Sequence, residues 1–335
     1  MQKKNTFKNP FMMNAPDPYM LIHDGYYYLT ATTGVNITIH RSRTLKGFSH
    51  PESRVIWTPE ENRENSKAIW APEIHRIGGR WYIYYTATDG KPENRRTFVL
   101  ENISDDLFYG KWVERGKIFA QPDRWAIDGT VMWDGLSHYF VWSGWEGYVD
   151  EAQNLYIAKM KSPYELEGQR VLLSVPEYEW ECQTIPGKDY PTVNEGPVAL
   201  YTKNYIHIVY SGSHFTSDSY CLGILTLKRG ADPLKRENWV KSEKPIFEKS
   251  YRHGVYSPGH NSFIKSPDGS EDWMIYHAFI SPPPFEGSKR CAMAQAFIFD
   301  ENEMPILAEP LKVGQEIQAP SGEECWSHES GDSNE

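Results

Sequence analysis

The chain has 335 residues, with 35 Lys and Arg against 45 Asp and Glu, a formal net charge of −10. That balance repels a nucleic-acid backbone, and no stretch approaches the roughly 20 consecutive apolar residues of a membrane helix, so neither nucleic acid nor membrane is expected as a partner. Aromatic residues make up 14% of the chain beside 23 Pro and 25 Gly, a composition suited to short strands broken by tight turns.

In chain order, the first residues, Met1 to Pro10, carry positive charge but no apolar run behind it. They do not read as a signal peptide, which leaves a cytoplasmic protein or a secreted one with its signal removed. From Ala15 onward one pattern recurs five times, starting at Ala15, Ala71, Ala126, Val193 and Ser257. Each copy has a Pro- or Gly-bracketed polar residue, an apolar strand, a turn, and an aromatic alternating strand that ends in small residues. His23-Asp24-Gly25, Ile77-Gly78-Gly79 and Trp133-Asp134-Gly135 supply the turns. A further β-patterned run follows in each interval, such as Arg95–Asn102 and Asn154–Met160. About four strands per copy and five copies predict an all-β, five-bladed β-propeller. Residues 1–319 form it, with the N-terminal residues closing the ring as an outer strand beside the last blade. The acidic segment 320–335 is expected to be a poorly ordered tail. The four cysteines, at 182, 221, 291 and 325, form no C-x-x-C pair and read as ordinary thiols.

In a propeller the first strand of each blade lines the central channel, and all five start at one end. Equivalent residues therefore converge: Asp17, Glu73, Asp128, Glu195 and His260. Like charges gathered there raise pKa values, which provides an acid and a base in one site. Trp70, next to the second motif, and Trp145, after the third, are candidate faces for a sugar ring, whereas Trp81, Trp112 and Trp273 read as blade packing. Asn194, beside Glu195, and Glu73 complete the substrate-contact candidates. His207, His214 and His277 read as packing or surface residues.

The motifs Ala15-Pro16-Asp17-Pro18, Trp70-Ala71-Pro72-Glu73, Ile127-Asp128-Gly129-Thr130, Asn194-Glu195-Gly196-Pro197 and Pro258-Gly259-His260-Asn261 resemble, in order, those of glycoside hydrolase family 43. Phrases such as Asp24-Gly25-Tyr26-Tyr27-Tyr28 resemble its exo-acting α-L-arabinofuranosidases. The resemblance implies an inverting glycosidase that releases terminal arabinofuranose from arabinan, arabinoxylan or arabino-oligosaccharides. It makes Asp17 the general base, Glu195 the general acid and Asp128 the carboxylate that tunes the acid's pKa and orientation. It implies no required cofactor, with a bound calcium or other ion near His260. Relatives often carry Arg-x-x-Arg-x-Gln in the last blade. The corresponding run, Arg290 to Gln295, has Met293 in place of the second arginine. A β-xylosidase or endo-arabinanase on the same fold is the alternative, so the partner is an arabinose- or xylose-containing saccharide. A carbohydrate-binding propeller without catalysis is the non-enzyme alternative.

Overall fold

The structure is a computed structural model that describes residues 5–185, 187–188, 190–285 and 289–324. A short strand, β1 (Thr6–Lys8), comes first. Blade I follows with β2 (Tyr19–His23), β3 (Tyr26–Thr30), β4 (Ile37–Ser42) and β5 (Glu52–Trp57). Blade II has β6 (Lys67–Ile77), β7 (Arg80–Thr88), β8 (Arg96–Asn102) and β9 (Trp112–Ile118). Blade III has β10 (Ala126–Trp133), β11 (His138–Gly144), β12 (Ala152–Ser162) and β13 (Glu165–Ser174). Blade IV has β14 (Thr192–Tyr201), β15 (Tyr205–Gly212), β16 (Cys221–Lys228) and β17 (Trp239–Lys241). Blade V has β18 (Tyr256–Lys265), β19 (Asp272–Phe279), β20 (Cys291–Phe299) and β21 (Pro305–Ile306), and β22 (Glu316–Gln318) ends the series. Each blade is an antiparallel meander, and a two-residue parallel pairing of Ala152–Gln153 with Thr192–Val193 links blades III and IV. Among the described residues no helix is long and apolar enough to cross a membrane.

The meanders close into a ring. β2 touches β6, β6 touches β10, β10 touches β14, β14 touches β18, and β18 returns to β2. The first strand of every blade therefore faces the axis, which makes the molecule the five-bladed propeller that the repeats predict.

The second strand of each repeat explains its aromatic alternation. Successive strand residues point to opposite faces. In β7, Trp81, Ile83 and Tyr85 pack toward blade I, while Tyr82 and Tyr84 pack toward blade III. Both faces of a blade are thus apolar, and the core is divided into five layers between neighbouring blades. Trp81, Trp112 and Trp273 are buried in these layers as expected.

Two turns match their sequence cues. Asp24-Gly25 and Gly78-Gly79 have positive φ at both central residues and join strands paired at His23–Tyr26 and Ile77–Arg80, as type I′ hairpins require. Asp134-Gly135 instead opens a four-residue loop, because β10 and β11 pair last at Trp133 and His138.

Ring closure differs from the expectation. Asn9 and Met12 do bond to blade V, at Ala294 and Ala292, but the outer strand of that blade is β21. β1 pairs with β22 in a separate ribbon. The boundary drawn at 320 also shifts, because the chain remains packed to Glu324. Glu323 is buried, its Oε1 accepting from Leu45 N at 2.7 Å and its Oε2 from Asn5 Nδ2 at 2.9 Å. Residues 325–335, the rest of the expected tail, lie outside the described residues, as does Cys325. Cys182, Cys221 and Cys291 are free.

Candidate active site

At one end of the channel the first strands depart from regular pairing. β6, β10, β14 and β18 each carry a bulge, across Trp70–Glu73, Ile127–Thr130, Glu195–Val198 and Gly259–Ser262. A bulge adds a residue and re-aims its neighbours. Inside these bulges the residue with positive φ is Ala71 (41°), Asp128 (53°), Gly196 (55°) and His260 (48°), and Asp17 (56°) has the same backbone just before β2. Left-handed backbone costs a non-glycine residue about 1–2 kcal/mol, and such strain gathers where side chains must be held at unusual angles. Asp17, Asp128 and His260 are thus equivalent in space.

Glu73 and Glu195 are not. Glu195 precedes its bulge residue and still reaches the site. Glu73 lies two residues beyond Ala71 and bonds to His75 Nε2 at 2.8 Å, away from the pocket. The expected convergence of all five therefore holds for four of them.

Asp17 is bonded at every polar atom. Its N–H donates to His277 Nδ1 at 3.0 Å, its Oδ2 accepts from Thr32 Oγ1 at 2.6 Å, and its Oδ1 accepts from Arg290 Nη1 at 2.5 Å. His260 Nδ1 lies 3.3 Å from Asp17 Oδ1 and 3.9 Å from Asp128 Oδ2. Burial alone would raise the Asp17 pKa, but the Arg290 charge, then His260 and the His277 ring, whose Nδ1 also lies 3.2 Å from Oδ1, hold it well below the usual carboxylate range.

The other two carboxyls go the opposite way. Burial, and next the charge of Asp17, push Glu195 up to about 7, against the pull of a 2.8 Å bond from Tyr220 Oη to its Oε1. Burial and the charges of Glu195 and Asp17 push Asp128 well above its ordinary value, although Gly196 N donates to its Oδ2 at 3.2 Å. Near neutrality the site therefore holds one ionised carboxylate, Asp17, opposite a buried pair that retains a proton. Proton affinities split in this way supply a base and an acid.

These groups surround a cavity of about 280 Å³, at the small end of ligand pockets. Trp70, Phe215 and Ile127 supply apolar wall, and Thr32, His260 and Arg290 join the three carboxyls in the lining. Arg95 lies 4.2 Å from the Trp70 ring centre, and Arg290 lies 4.4 Å from that of Phe215. Two substrate-contact candidates are elsewhere. Trp145 stacks on Trp125 at 4.8 Å and is buried against it. Asn194 is buried with its amide spent on Glu181 Oε1 and Ser174 Oγ, both at 2.9 Å, so it anchors β14 instead of meeting a sugar.

Five groups that matter here escape the sequence reading, Thr32 with its bond to Asp17 among them. The cation missing at Met293 is Arg290 itself. Met293 lies three residues farther along β20, roughly 10 Å down a strand, and is buried between blades IV and V. His277, read as packing, bonds to Asp17. The pairing of Gly259 with His277 across β18 and β19 was the signal available, since it places His277 beside the His260 motif. Tyr220 and Phe215 come from segments outside the repeated motifs and carried no signal.

Two sets of three donor atoms lie within 4.8 Å of one another: Asp17, His260 and His277, and Asp128, Glu195 and His260. Neither suits calcium, which takes roughly six to eight oxygens. In the first, Arg290 already occupies Asp17, and the His277 Nδ1 lone pair accepts the Asp17 N–H. The second offers one imidazole nitrogen beside two carboxyls, short of that oxygen shell. The residues present do not fit the expected calcium at His260.

The family profile described as Glycosyl hydrolases family 43 matches residues 7–305. An "Extracellular exo-alpha-(1->5)-L-arabinofuranosidase" of Streptomyces chartreusis is 37% identical over 276 residues, covering 81% of this chain and 82% of the relative. A protein of the same name from Streptomyces avermitilis is 34% identical, covering 92% of this chain and 64% of its own length. The solved structure of an α-L-arabinofuranosidase from Lactobacillus brevis superposes with a TM-score of 0.84 at 33% identity, covering 92% of this chain and 98% of that one. The chain belongs to glycosyl hydrolase family 43.

Proposed function

We propose that this family 43 hydrolase is an inverting, exo-acting α-L-arabinofuranosidase, with Asp17, Glu195 and Asp128 as its catalytic carboxyls. The observation that carries the reading is that three carboxyls from three blades line one cavity of about 280 Å³, with Arg290 on Asp17 and none of the described side chains but Tyr220 bonded to Glu195. The names of the two Streptomyces relatives support the choice of sugar and of terminal release.

In this reading a terminal furanose enters between Trp70 and Phe215 with its anomeric carbon between Asp17 and Glu195. Asp17 takes a proton from a water, whose oxygen attacks the anomeric carbon. On the opposite face Glu195 gives its proton to the departing glycosidic oxygen, so the C–O bond breaks as the new one forms and configuration inverts. Asp128 keeps the proton on Glu195 by repulsion. Arg290, Thr32 and His260 hold Asp17 in place, which fixes the angle of the attacking water. Exchange with solvent resets both groups.

The test compares nitrophenyl α-L-arabinofuranoside with nitrophenyl β-D-xyloside, with nuclear magnetic resonance following the first anomer released from an arabino-oligosaccharide. The arabinoside is expected to be much the better substrate and to yield the inverted anomer. Preferred hydrolysis of the xyloside, or a retained anomer, would overturn the reading.

A further inference from the structure

Asp17 and Glu195 stand on different blades, yet inversion requires the base and the acid to keep a fixed separation. Two residues join them, one in the second strand of the fifth repeat and one between repeats. His277, on β19, accepts the Asp17 N–H through Nδ1 at 3.0 Å. Tyr220, just before β16, donates its hydroxyl to Glu195 Oε1 at 2.8 Å. The two rings lie face to face, 5.6 Å between centres and 6° from parallel. Both are fully buried.

Two further observations argue that this is more than packing. Because Nδ1 accepts a hydrogen bond, the neutral His277 ring carries its proton on Nε2, and that atom has no partner. An orphaned buried nitrogen costs about 1–3 kcal/mol, a cost that ring packing by itself gives no reason to bear. The space for Tyr220 is also made by a glycine. A Cβ at Gly259 would lie 2.3 Å from the tyrosine ring, too close for any other residue without displacing it.

We propose that the stacked His277–Tyr220 pair is a positioning unit that holds the general base and the general acid in one geometry. It rests on the roles proposed above for Asp17 and Glu195. The charged groups acting on Glu195 from other blades are Asp17, Asp128 and Arg290, and the variants below leave all three in place.

The test separates the two halves of the pair by the pH profile of kcat/KM on an aryl arabinofuranoside. Tyr220→Phe keeps the stack and removes the bond that favours ionised Glu195. Its alkaline limb should move up by about half a pH unit or more. His277→Asn puts an amide oxygen where Nδ1 stood but removes the ring under Tyr220. Its alkaline limb should move up too, although His277 does not touch Glu195. His277→Phe keeps the ring and loses the acceptor. It should leave the alkaline limb in place and lower kcat by roughly tenfold or more, as a misplaced base does. An unmoved limb in both Tyr220→Phe and His277→Asn, or equal profiles for the two His277 variants, would overturn the proposal. The isosteric Tyr220→Phe keeps the test alive if a histidine variant fails to fold. A substrate-free infrared titration of the buried carboxyls, with Glu195→Gln as reference, reads the same shift in Tyr220→Phe. If the wild type cleaves no arabinoside, the proposed function fails while this titration still decides the pair.

Discussion

A single cation decides which carboxyl is the base. Asp17 and Asp128 are buried and Glu195 is half-buried, and desolvation alone would raise the pKa of all three. Arg290 bonds Asp17 directly and pulls on Glu195 more weakly than burial and the Asp17 charge push it up, so Glu195 and Asp128 keep raised values. Arg290→Met removes this asymmetry. The Asp17 pKa then rises, and because the base works only when ionised, the acid limb of kcat/KM should move up by more than one pH unit. Activity at pH 5 falls more than activity at pH 7. Removing one partner of a buried pair should also destabilise the fold by about 3–5 kcal/mol, seen in denaturant unfolding. An unmoved acid limb in folded protein would assign the asymmetry to His260 instead. At the far side of the pocket, Glu195→Ala should lose about 10²–10⁴ in rate on arabinan. It should lose much less on nitrophenyl arabinofuranoside, whose leaving group needs little protonation.

The positive-φ residue at the start of each inner strand, seated in a bulge in four of the five blades, turns five repeated segments into one site, and it also marks where the sequence was readable. Asp17 and Asp128 occupy these left-handed positions and could be found by aligning repeats. Glu73 matches them in sequence type, but its strand places Ala71 at the bulge and carries Glu73 toward His75. One inserted residue shifts a period-two register, so equivalence along the chain stops being equivalence in space. His277 and Tyr220 act through cross-strand and between-blade contacts, which no repeat records. Gly196 tests the bulge itself. It has φ +55°, and a Cβ there would lie 3.1 Å from the His260 ring. Its N–H also holds Asp128. Gly78 has a similar φ of +57° in a turn with nothing within 4 Å of the added carbon. Gly196→Ala and Gly78→Ala should therefore each cost about 1–2 kcal/mol of stability. Only Gly196→Ala should also lower kcat, by roughly tenfold or more. Equal kcat for the two variants would mean that the bulge does not position the chemistry.

The whole ring depends on how its ends meet. Blades I and V share a core layer with Phe7, Phe11 and Ile317 from the terminal segments, so the ribbon of β1 and β22 seals the join without completing either blade. Glu323 sits behind it, bonding Asn5 at one terminus and Leu45 in blade I. Burial pushes its pKa up to about 7, against the pull of those two bonds and of one with Tyr27. In the unfolded chain the same carboxyl titrates near the ordinary value of about 4.3. Between these values the folded protein holds a proton that the unfolded chain has released. Stability must therefore fall as pH rises through that window and level off above it. Glu323→Gln keeps an acceptor for the Leu45 N–H and removes the titration. Variant and wild type should be alike near pH 4, and the variant should be more stable at pH 8 by up to about 3.5 kcal/mol. Glu195 and Asp128 impose pH dependence of the same sign, but they are present in both proteins and cancel in the difference. Unfolding free energies measured across that range decide the matter. A pH-independent difference would show that the seam is held by the β1–β22 pairing and its apolar contacts, with the carboxyl a bystander.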